Sequence, residues 1–164
     1  MEPTPELFRE VLGRLAAGVT VVTTLDAAGE PRGLTATAVS SVSLDPPLVL
    51  VCAGRDSHTC EAIRSSGRYA LNFLHSGAPD LSDRFAAANE RKFDGVDWRE
   101  GPYGLPLLHA CLAWLECAVE SEVEAGDHTI FIARVLAAAV ERAESEPLVH
   151  YRGQYRILRE GSGS

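Results

Sequence analysis

One kind of basic residue is nearly missing from this chain. Lys92 is its single lysine, and 15 basic residues against 23 acidic ones leave a net charge of −8. Nucleic-acid binding depends on clustered cations that neutralise phosphates, so an acidic chain without a basic block is a poor candidate for it. Scattered arginines still leave single fixed cations available for a small phosphate-bearing ligand.

Long apolar runs are missing as well. No run approaches the roughly 20 residues of a membrane span. The segment MEPTPELFRE at 1–10 also lacks the basic and apolar regions of a signal peptide. We therefore expect a cytoplasmic protein with no membrane partner and no nucleic-acid partner.

The chain also lacks the signatures of several reaction classes. Its four cysteines include no CxxC pair and its histidines show no ligand spacing, so no metal site is predicted. It contains no GxGxxG, GxxxxGKS/T, HExxH or GxSxG motif. The usual marks of a Rossmann dinucleotide fold, ATP chemistry, zinc hydrolysis and acyl transfer are therefore absent.

What the sequence does contain is a series of short strand-like runs. Its 164 residues, 46% of them hydrophobic, suffice for one domain with a core, expected over 1–160 with 161–164 as a disordered tail. Helical spacing predicts an amphipathic helix over 4–17 and short helices over 59–66 and 80–88. The predicted strands cover 19–25, 33–43, 48–53, 68–74, 111–122, 128–140, 148–151 and 155–158, with an irregular stretch over 89–108. This pattern is typical of a mainly antiparallel, closed or partly closed β-barrel.

One predicted strand has an unusual composition. From Gly33 to Ser43 the chain reads GLTATAVSSVS, which is mostly small and hydroxyl-bearing. A structural strand normally carries branched or aromatic side chains on at least one face. Small side chains leave room beside the backbone and offer short hydrogen-bonding groups, which suits a flat polar ligand. An ordinary edge strand rich in threonine and serine has the same pattern.

Several ordered blocks give a resemblance to a known family. They are GVTVVT at 18–23, GLTATA at 33–38, SSVS at 40–43, DPP at 45–47, YALN at 69–72, RFA at 84–86, GDH at 126–128, PL at 147–148 and YRGQY at 151–155. In this order they resemble the short-chain flavin reductase component of two-component flavin-dependent monooxygenases. The resemblance spans Phe8 to about Leu158. It implies an FMN-binding split β-barrel, an antiparallel Greek-key barrel with a few flanking helices.

The resemblance implies an NAD(P)H-dependent flavin reductase. NADH or NADPH would pass a hydride to FAD or FMN, and the reduced flavin would diffuse to a partner monooxygenase. Hydride transfer between two such cofactors needs no protein nucleophile, which agrees with the missing catalytic motifs. The family also implies a homodimer. Two alternatives stay open: a non-catalytic flavin-binding module, and a split-barrel flavin oxidase acting on its own substrate.

The same resemblance implies roles for individual residues. His128 is the catalytic candidate, on the nicotinamide side of the flavin. The residues implied to line the flavin ring and ribityl chain are Thr35, Ala36, Thr37, Ala38, Val39, Ser41, Val42 and Ser43. Those implied at the flavin phosphate, where a helix begins, are Asp56, Ser57, His58 and Thr59, with Arg84 and Phe85 as further flavin contacts. Those matching the pyridine-nucleotide segment are Tyr151, Arg152 and Gly153.

Simpler roles compete with these assignments. Ser57 is a good helix N-cap on its own, and Arg84 fits a solvated helix face. A lone histidine at a strand start, such as His128, is more often structural than functional. Gly153 suits a turn that needs a positive φ.

Overall fold

The computed structural model describes residues 2–158, so the predicted tail at 161–164 lies outside the described residues. The helices are α1 Pro5–Leu12, α2 His58–Ser66 and α3 Pro79–Ala86. The strands are β1 Ala17–Gly18, β2 Thr20–Leu25, β3 Pro31–Ala36, β4 Val39–Ser43, β5 Leu48–Gly54, β6 Arg68–Leu74, β7 Trp98–Glu100, β8 Pro106–Leu108, β9 Cys111–Ala125, β10 His128–Val140, β11 Val149–Tyr151 and β12 Gln154–Arg156.

Seven strands form one antiparallel sheet in the order β3-β2-β6-β9-β10-β5-β4. The sheet curls around a core that contains Val22, Val51, Leu71 and Phe131 from four strands and Ile63 from α2. The two end strands, β3 and β4, are not paired with each other, so the barrel is split between them. This arrangement confirms the predicted mainly β, partly closed barrel.

The predicted single strand over 33–43 is wrong. The chain pairs with β2 as far as Ala36 and then pairs with β5 from Val39 onward, at the opposite edge of the sheet. Thr37 and Ala38 make the crossing, and the Ala38 carbonyl accepts a hydrogen bond from the Cys52 N–H at 3.0 Å. The barrel is therefore closed at this point by one covalent crossing rather than by a ladder of hydrogen bonds.

The continuous apolar run over 48–53 predicts a strand that is buried on both faces, and this prediction is also wrong. Val49, Val51 and Ala53 are buried, whereas the residues between them are half-buried. Alternate side chains of a strand point to opposite faces. One face of β5 thus fills the core. Cys52 and Gly54 lie on the other face, which borders open space.

The helices begin close to their predicted starts. Ser57 caps α2 as expected, and Gly67 ends that helix in the left-handed conformation (φ 66°). The first helix ends at Leu12, earlier than predicted, because Gly13 and the following turn take over. No helix within residues 2–158 is long and apolar enough to cross a membrane.

The stretch 89–108 is more ordered than predicted, since it contains the β7–β8 hairpin. Its loop folds around Glu116, a fully buried side chain of β9. The Glu116 carboxylate accepts hydrogen bonds from the N–H groups of Tyr103 and Leu105 at 3.0 and 3.1 Å. Glu116 lies 11 and 13 residues from these partners and outside the hairpin, so a short sequence window did not show what holds the loop.

Candidate functional site

A cavity of about 710 Å³ opens beside the split of the barrel. Its wall combines β3 and the crossing that follows it, the end of β5, the start of α2, the end of α3 with the loop 87–93, and the start of β10. The volume lies within the range of small-molecule sites. Four stretches of the chain, 31–38, 52–59, 85–93 and position 128, therefore converge on one concave surface.

The cavity contains half of the predicted flavin-lining segment. Thr35, Ala36, Thr37 and Ala38 line it. The Thr35 hydroxyl donates to the Ser82 carbonyl at 2.6 Å, so it ties β3 to α3. Since β3 is an end strand, the backbone groups on its outer edge have no strand partner among the described residues and can bind a polar ligand.

The other half of that segment lies elsewhere. After the crossing at Ala38 the chain pairs with β5 to form β4, in which residues 40–42 are exposed. The residues that the structure does not bring to the cavity are Val39, Ser41, Val42 and Ser43. Their role as flavin contacts stays a prediction.

The start of α2 contributes all four residues that were predicted there. Asp56, Ser57, His58 and Thr59 line the cavity. The Ser57 hydroxyl is already engaged, because it accepts from the Cys60 N–H at 3.1 Å and donates to the Gly54 carbonyl at 2.8 Å. The N–H groups of His58 and Thr59, at the first turn, have no acceptor within residues 2–158. They are free to donate to an anion.

His128 reaches the same cavity from β10, where it pairs with Gly54. Its Nδ1 lies 2.7 Å from the Asp127 carboxylate. That hydrogen bond lowers the pKa of Asp127, which is therefore ionised near neutral pH. An ionised carboxylate can only accept, so Nδ1 carries the proton and Nε2 of the neutral ring is left as an acceptor. The Asp127 carbonyl also accepts from the Arg55 N–H at 2.9 Å, which ties this turn to the segment before α2.

Phe85 and Arg84 are adjacent in α3 but occupy different places. Phe85 is fully buried and lines the cavity. It fits because Gly33 has no side chain; a Cβ there would lie 2.7 Å from the Phe85 ring. Arg84 lies outside the cavity and donates to the Asp94 carbonyl at 2.5 Å. Its role as a flavin contact stays a prediction.

The predicted pyridine-nucleotide segment also lies outside the cavity. Tyr151, Arg152 and Gly153 form the β11–β12 hairpin, with positive φ at Arg152 (54°) and Gly153 (74°). The Arg152 N–H donates to the Gly13 carbonyl at 2.8 Å, which joins this turn to the end of α1. The turn expected at Gly153 is present, and the nucleotide contact stays a prediction.

Sequence reasoning missed the contribution of the loop 87–93. Lys92 lines the cavity, and its Nζ donates to the carbonyls of Gly33 (3.1 Å) and Phe85 (2.9 Å). Burial lowers the pKa of Lys92. The sequence contained one indication of a special role for Lys92, which is that Lys92 is the only lysine. Cys52, Gly54, Glu90 and Phe93 were likewise not predicted.

No metal-binding arrangement accompanies the cavity. Within residues 2–158, no three histidine, cysteine, aspartate or glutamate side chains come together to hold an ion. Three of the cysteines, Cys60, Cys111 and Cys117, are buried, and burial raises the pKa of Cys117 to about 12. What the site offers chemically is a flat wall of small residues, free backbone donors and one histidine.

Comparison with known proteins agrees with this arrangement. Residues 12–159 match the family described as "Flavin reductase like domain". The chain is 46% identical over 151 residues to a probable flavin reductase of Rhizobium meliloti, which covers 92% of this chain and 48% of that protein. The chain thus spans about half the length of that curated relative. A flavin reductase (NADH) of Kitasatospora aureofaciens is 43% identical over 92% of this chain and 80% of its own length.

The solved structures give the same result. The NADH:FAD oxidoreductase SgcE6 of Streptomyces globisporus, in complex with NAD and FAD fragments, superposes with a TM-score of 0.91. It is 36% identical, and the match covers 99% of this chain and 98% of that chain. The flavin reductase PheA2 in its native state superposes with a TM-score of 0.88 at 40% identity, over 96% of this chain and 100% of that chain. The split-barrel fold is thereby confirmed, and the chain belongs to the flavin reductase like family.

Proposed function

We propose that the chain is an NAD(P)H:flavin oxidoreductase, which reduces FAD or FMN and releases the reduced flavin to a partner monooxygenase. The observation that carries the proposal is the 710 Å³ cavity, which joins the outer edge of β3, the start of α2 and His128. Relatives named as reductase subunits of flavin-dependent monooxygenases, from Rhodococcus jostii and Mycobacterium tuberculosis, support the function and the kind of partner. The names of these relatives favour a reductase over a flavin-binding module or an oxidase.

The residues of the cavity fit a flavin. Thr35 to Ala38 give a wall of small side chains beside an unpaired strand edge, which can accept and donate hydrogen bonds along a flat ring. The free N–H groups of His58 and Thr59 suit a phosphate. Gly54 leaves further room, since a Cβ at that position would meet no protein atom within 4 Å. One surface thus offers a wall for the ring, donors for the phosphate and open space at Gly54.

When bound, the flavin supplies the hydride-accepting chemistry. The task of this chain is to align the two nucleotides and exclude water between them. His128 would accept a hydrogen bond at Nε2 from the nicotinamide carboxamide, since its Nδ1 proton is donated to Asp127. Phe85 and Gly33 keep the wall rigid, because the ring and the strand pack with no space for another atom.

The test is an anaerobic assay of the native chain with each pair of FAD or FMN and NADH or NADPH. We expect loss of the long-wavelength flavin absorbance, with NADH favoured because relatives are named as NADH-dependent. His128→Ala should raise KM for the nicotinamide or slow reduction while flavin still binds, and His109→Ala, at an exposed distant histidine, should not. Absence of bleaching with all four pairs would contradict the proposal.

We also propose that two copies of the chain form a homodimer, and that residues 1–160 form one domain. The dimer is supported by α1, whose apolar side chains are only partly covered by their own chain: Leu7, Phe8, Val11 and Leu12 are 47–58% exposed. A helix of eight residues is marginal in water without packing, so a second copy is expected to cover this face. The match of one family over residues 12–159 supports the single domain.

Light scattering on a sizing column tests the dimer. Phe8→Glu with Val11→Glu should give a monomer, because two carboxylates would be buried in the contact. Arg9→Glu, a charge change on the same helix, should leave the dimer intact. A native chain that elutes as a monomer at micromolar concentration would contradict this part of the proposal.

A further inference from the structure

The charged and histidine side chains around the cavity are paired, with one exception. Six such side chains line the cavity, and all but Lys92 have a partner of opposite charge, or a partner that can carry one, within 4 Å. The pairs are Arg32 with Asp26 (2.8 Å), Asp56 with Arg55 (3.9 Å), His58 with Glu90 (3.7 Å) and His128 with Asp127 (2.7 Å). Lys92 has no carboxylate within that distance anywhere in residues 2–158.

Lys92 is also held in a fixed place. Its Nζ is bound to two carbonyls, one in β3 and one near the end of α3, and the side chain is half-buried. An ammonium carries three N–H donors, so these two contacts leave one donor unused. A positioned, partly desolvated cation without a counter-charge attracts an anion more strongly than a solvated surface lysine does.

The position of this cation relative to the flat wall indicates which anion. Lys92 is bound at Gly33, and the cavity-lining residues of that segment continue from Thr35 to Ala38. At about 3.3 Å per strand residue, Thr35 is about 7 Å further along and Ala38 further still. The ammonium therefore stands at one end of the wall. The His58–Glu90 pair (3.7 Å) brings the start of α2, whose free N–H groups suit a phosphate, next to the loop that carries Lys92.

We propose that Lys92 binds a phosphate of the flavin nucleotide, a proposal that rests on the flavin reductase function above. The neutral carbonyls of Gly33 and Phe85 orient the ammonium, and the phosphate supplies the negative charge that the protein does not. Such a residue makes the site selective for flavin nucleotides over riboflavin, which has the same ring and no phosphate.

The test is direct binding of oxidised flavins in the absence of any nicotinamide nucleotide, followed by flavin fluorescence. Lys92→Met removes the charge and keeps an unbranched side chain. We expect the Kd of FMN and FAD to rise about tenfold or more, the usual cost of losing a charge-assisted hydrogen bond. The Kd of riboflavin should change less than twofold, and Lys92→Arg should retain most of the preference for FMN.

Arg91→Met is the matched control, because Arg91 is the exposed neighbour of Lys92 and should leave all three affinities unchanged. An equal loss of riboflavin and FMN binding in Lys92→Met would overturn the proposal, since the residue would then act on the ring or only hold the loop. Unchanged FMN binding would overturn it as well. Failure of the proposed function has a different signature: a native chain that binds flavin and does not bleach it with NADH.

Discussion

The two halves of the segment 35–43 both combine hydroxyl-bearing residues with small apolar ones, TATA and VSSVS, and have quite different surroundings. Thr35 to Ala38 line the cavity, whereas Val39 to Ser43 form an edge strand on the other side of the split. The first half is held against α3 by the Thr35 hydroxyl, and the second half only against β5. Small hydroxyl-bearing residues are therefore not sufficient to mark a ligand site; the neighbouring strand decides which of them face a cavity.

The largest expected effect comes from the packing beneath the cavity half. Gly33→Ala would place a Cβ 2.7 Å from the Phe85 ring and 3.0 Å from the Val22 carbonyl. Overpacking of this kind typically costs about 1–3 kcal/mol of unfolding free energy. Denaturant unfolding measures the loss, and FMN binding should weaken with it because Phe85 must move. Gly18→Ala, where a Cβ meets no atom within 4 Å, is the control and should change stability little.

A bulky residue separates the two halves directly. Ala38→Phe should weaken FMN binding about tenfold, or about 1.4 kcal/mol, by occupying space at the cavity wall. Ser41→Phe, an exposed position in β4, should leave FMN binding unchanged. Both are read by fluorescence titration. Equal weakening of FMN binding in the two variants would show that Val39 to Ser43 also contact the flavin. The contrast between the two halves would then be wrong.

A smaller effect concerns the hydroxyls themselves. Thr35→Val removes the hydrogen bond to the Ser82 carbonyl and should cost about 1 kcal/mol of stability. Ser40→Ala removes only an exposed local hydrogen bond to the neighbouring Ser41 carbonyl, so its cost should be near zero. Thermal unfolding compares the two variants. A larger loss in Ser40→Ala would show that β4 is the more tightly held half.

The smallest effect is on pH dependence. The cavity half shares its cavity with the pair His128 and Asp127, whereas β4 contains no titratable side chain. The pKa of Asp127 is lowered by the hydrogen bond from His128, so its contribution is present above the unfolded pKa of about 3.9 and lost as the pH falls through the lower folded value.

The unfolding midpoint of the native protein should therefore exceed that of Asp127→Asn at pH 5, and the two midpoints should converge as the pH falls below about 4. Ser41→Ala should run parallel to the native protein over the whole range. A difference between native protein and Asp127→Asn that stays constant as the pH falls from 5 to about 2 would contradict this account, because the ionised form of Asp127 is lost over that range.

Elements with local signals were predicted well. Strand β6 was predicted at Arg68–Leu74, where the structure has it, and α2 follows its predicted cap at Ser57. These features depend on residues close together in sequence. The family resemblance supplied the fold and the function, and ten of its eighteen site residues reach the cavity.

The misses have a common physical cause. The break at Thr37 depends on pairing with β5, and the role of Lys92 depends on carbonyls of β3 and α3. Neither partner is visible in a local window. Non-local hydrogen bonds thus determine these positions, which the local sequence pattern does not indicate.

The solitary lysine has a practical consequence. Apart from the terminal amine, Lys92 is the only primary amine in the chain. Its lowered pKa leaves more of the unprotonated, nucleophilic form near neutral pH than an ordinary lysine has. An acylating reagent should therefore modify one internal position. The extent to which a ligand slows acylation of Lys92 would report occupancy of the cavity without any measurement of flavin colour.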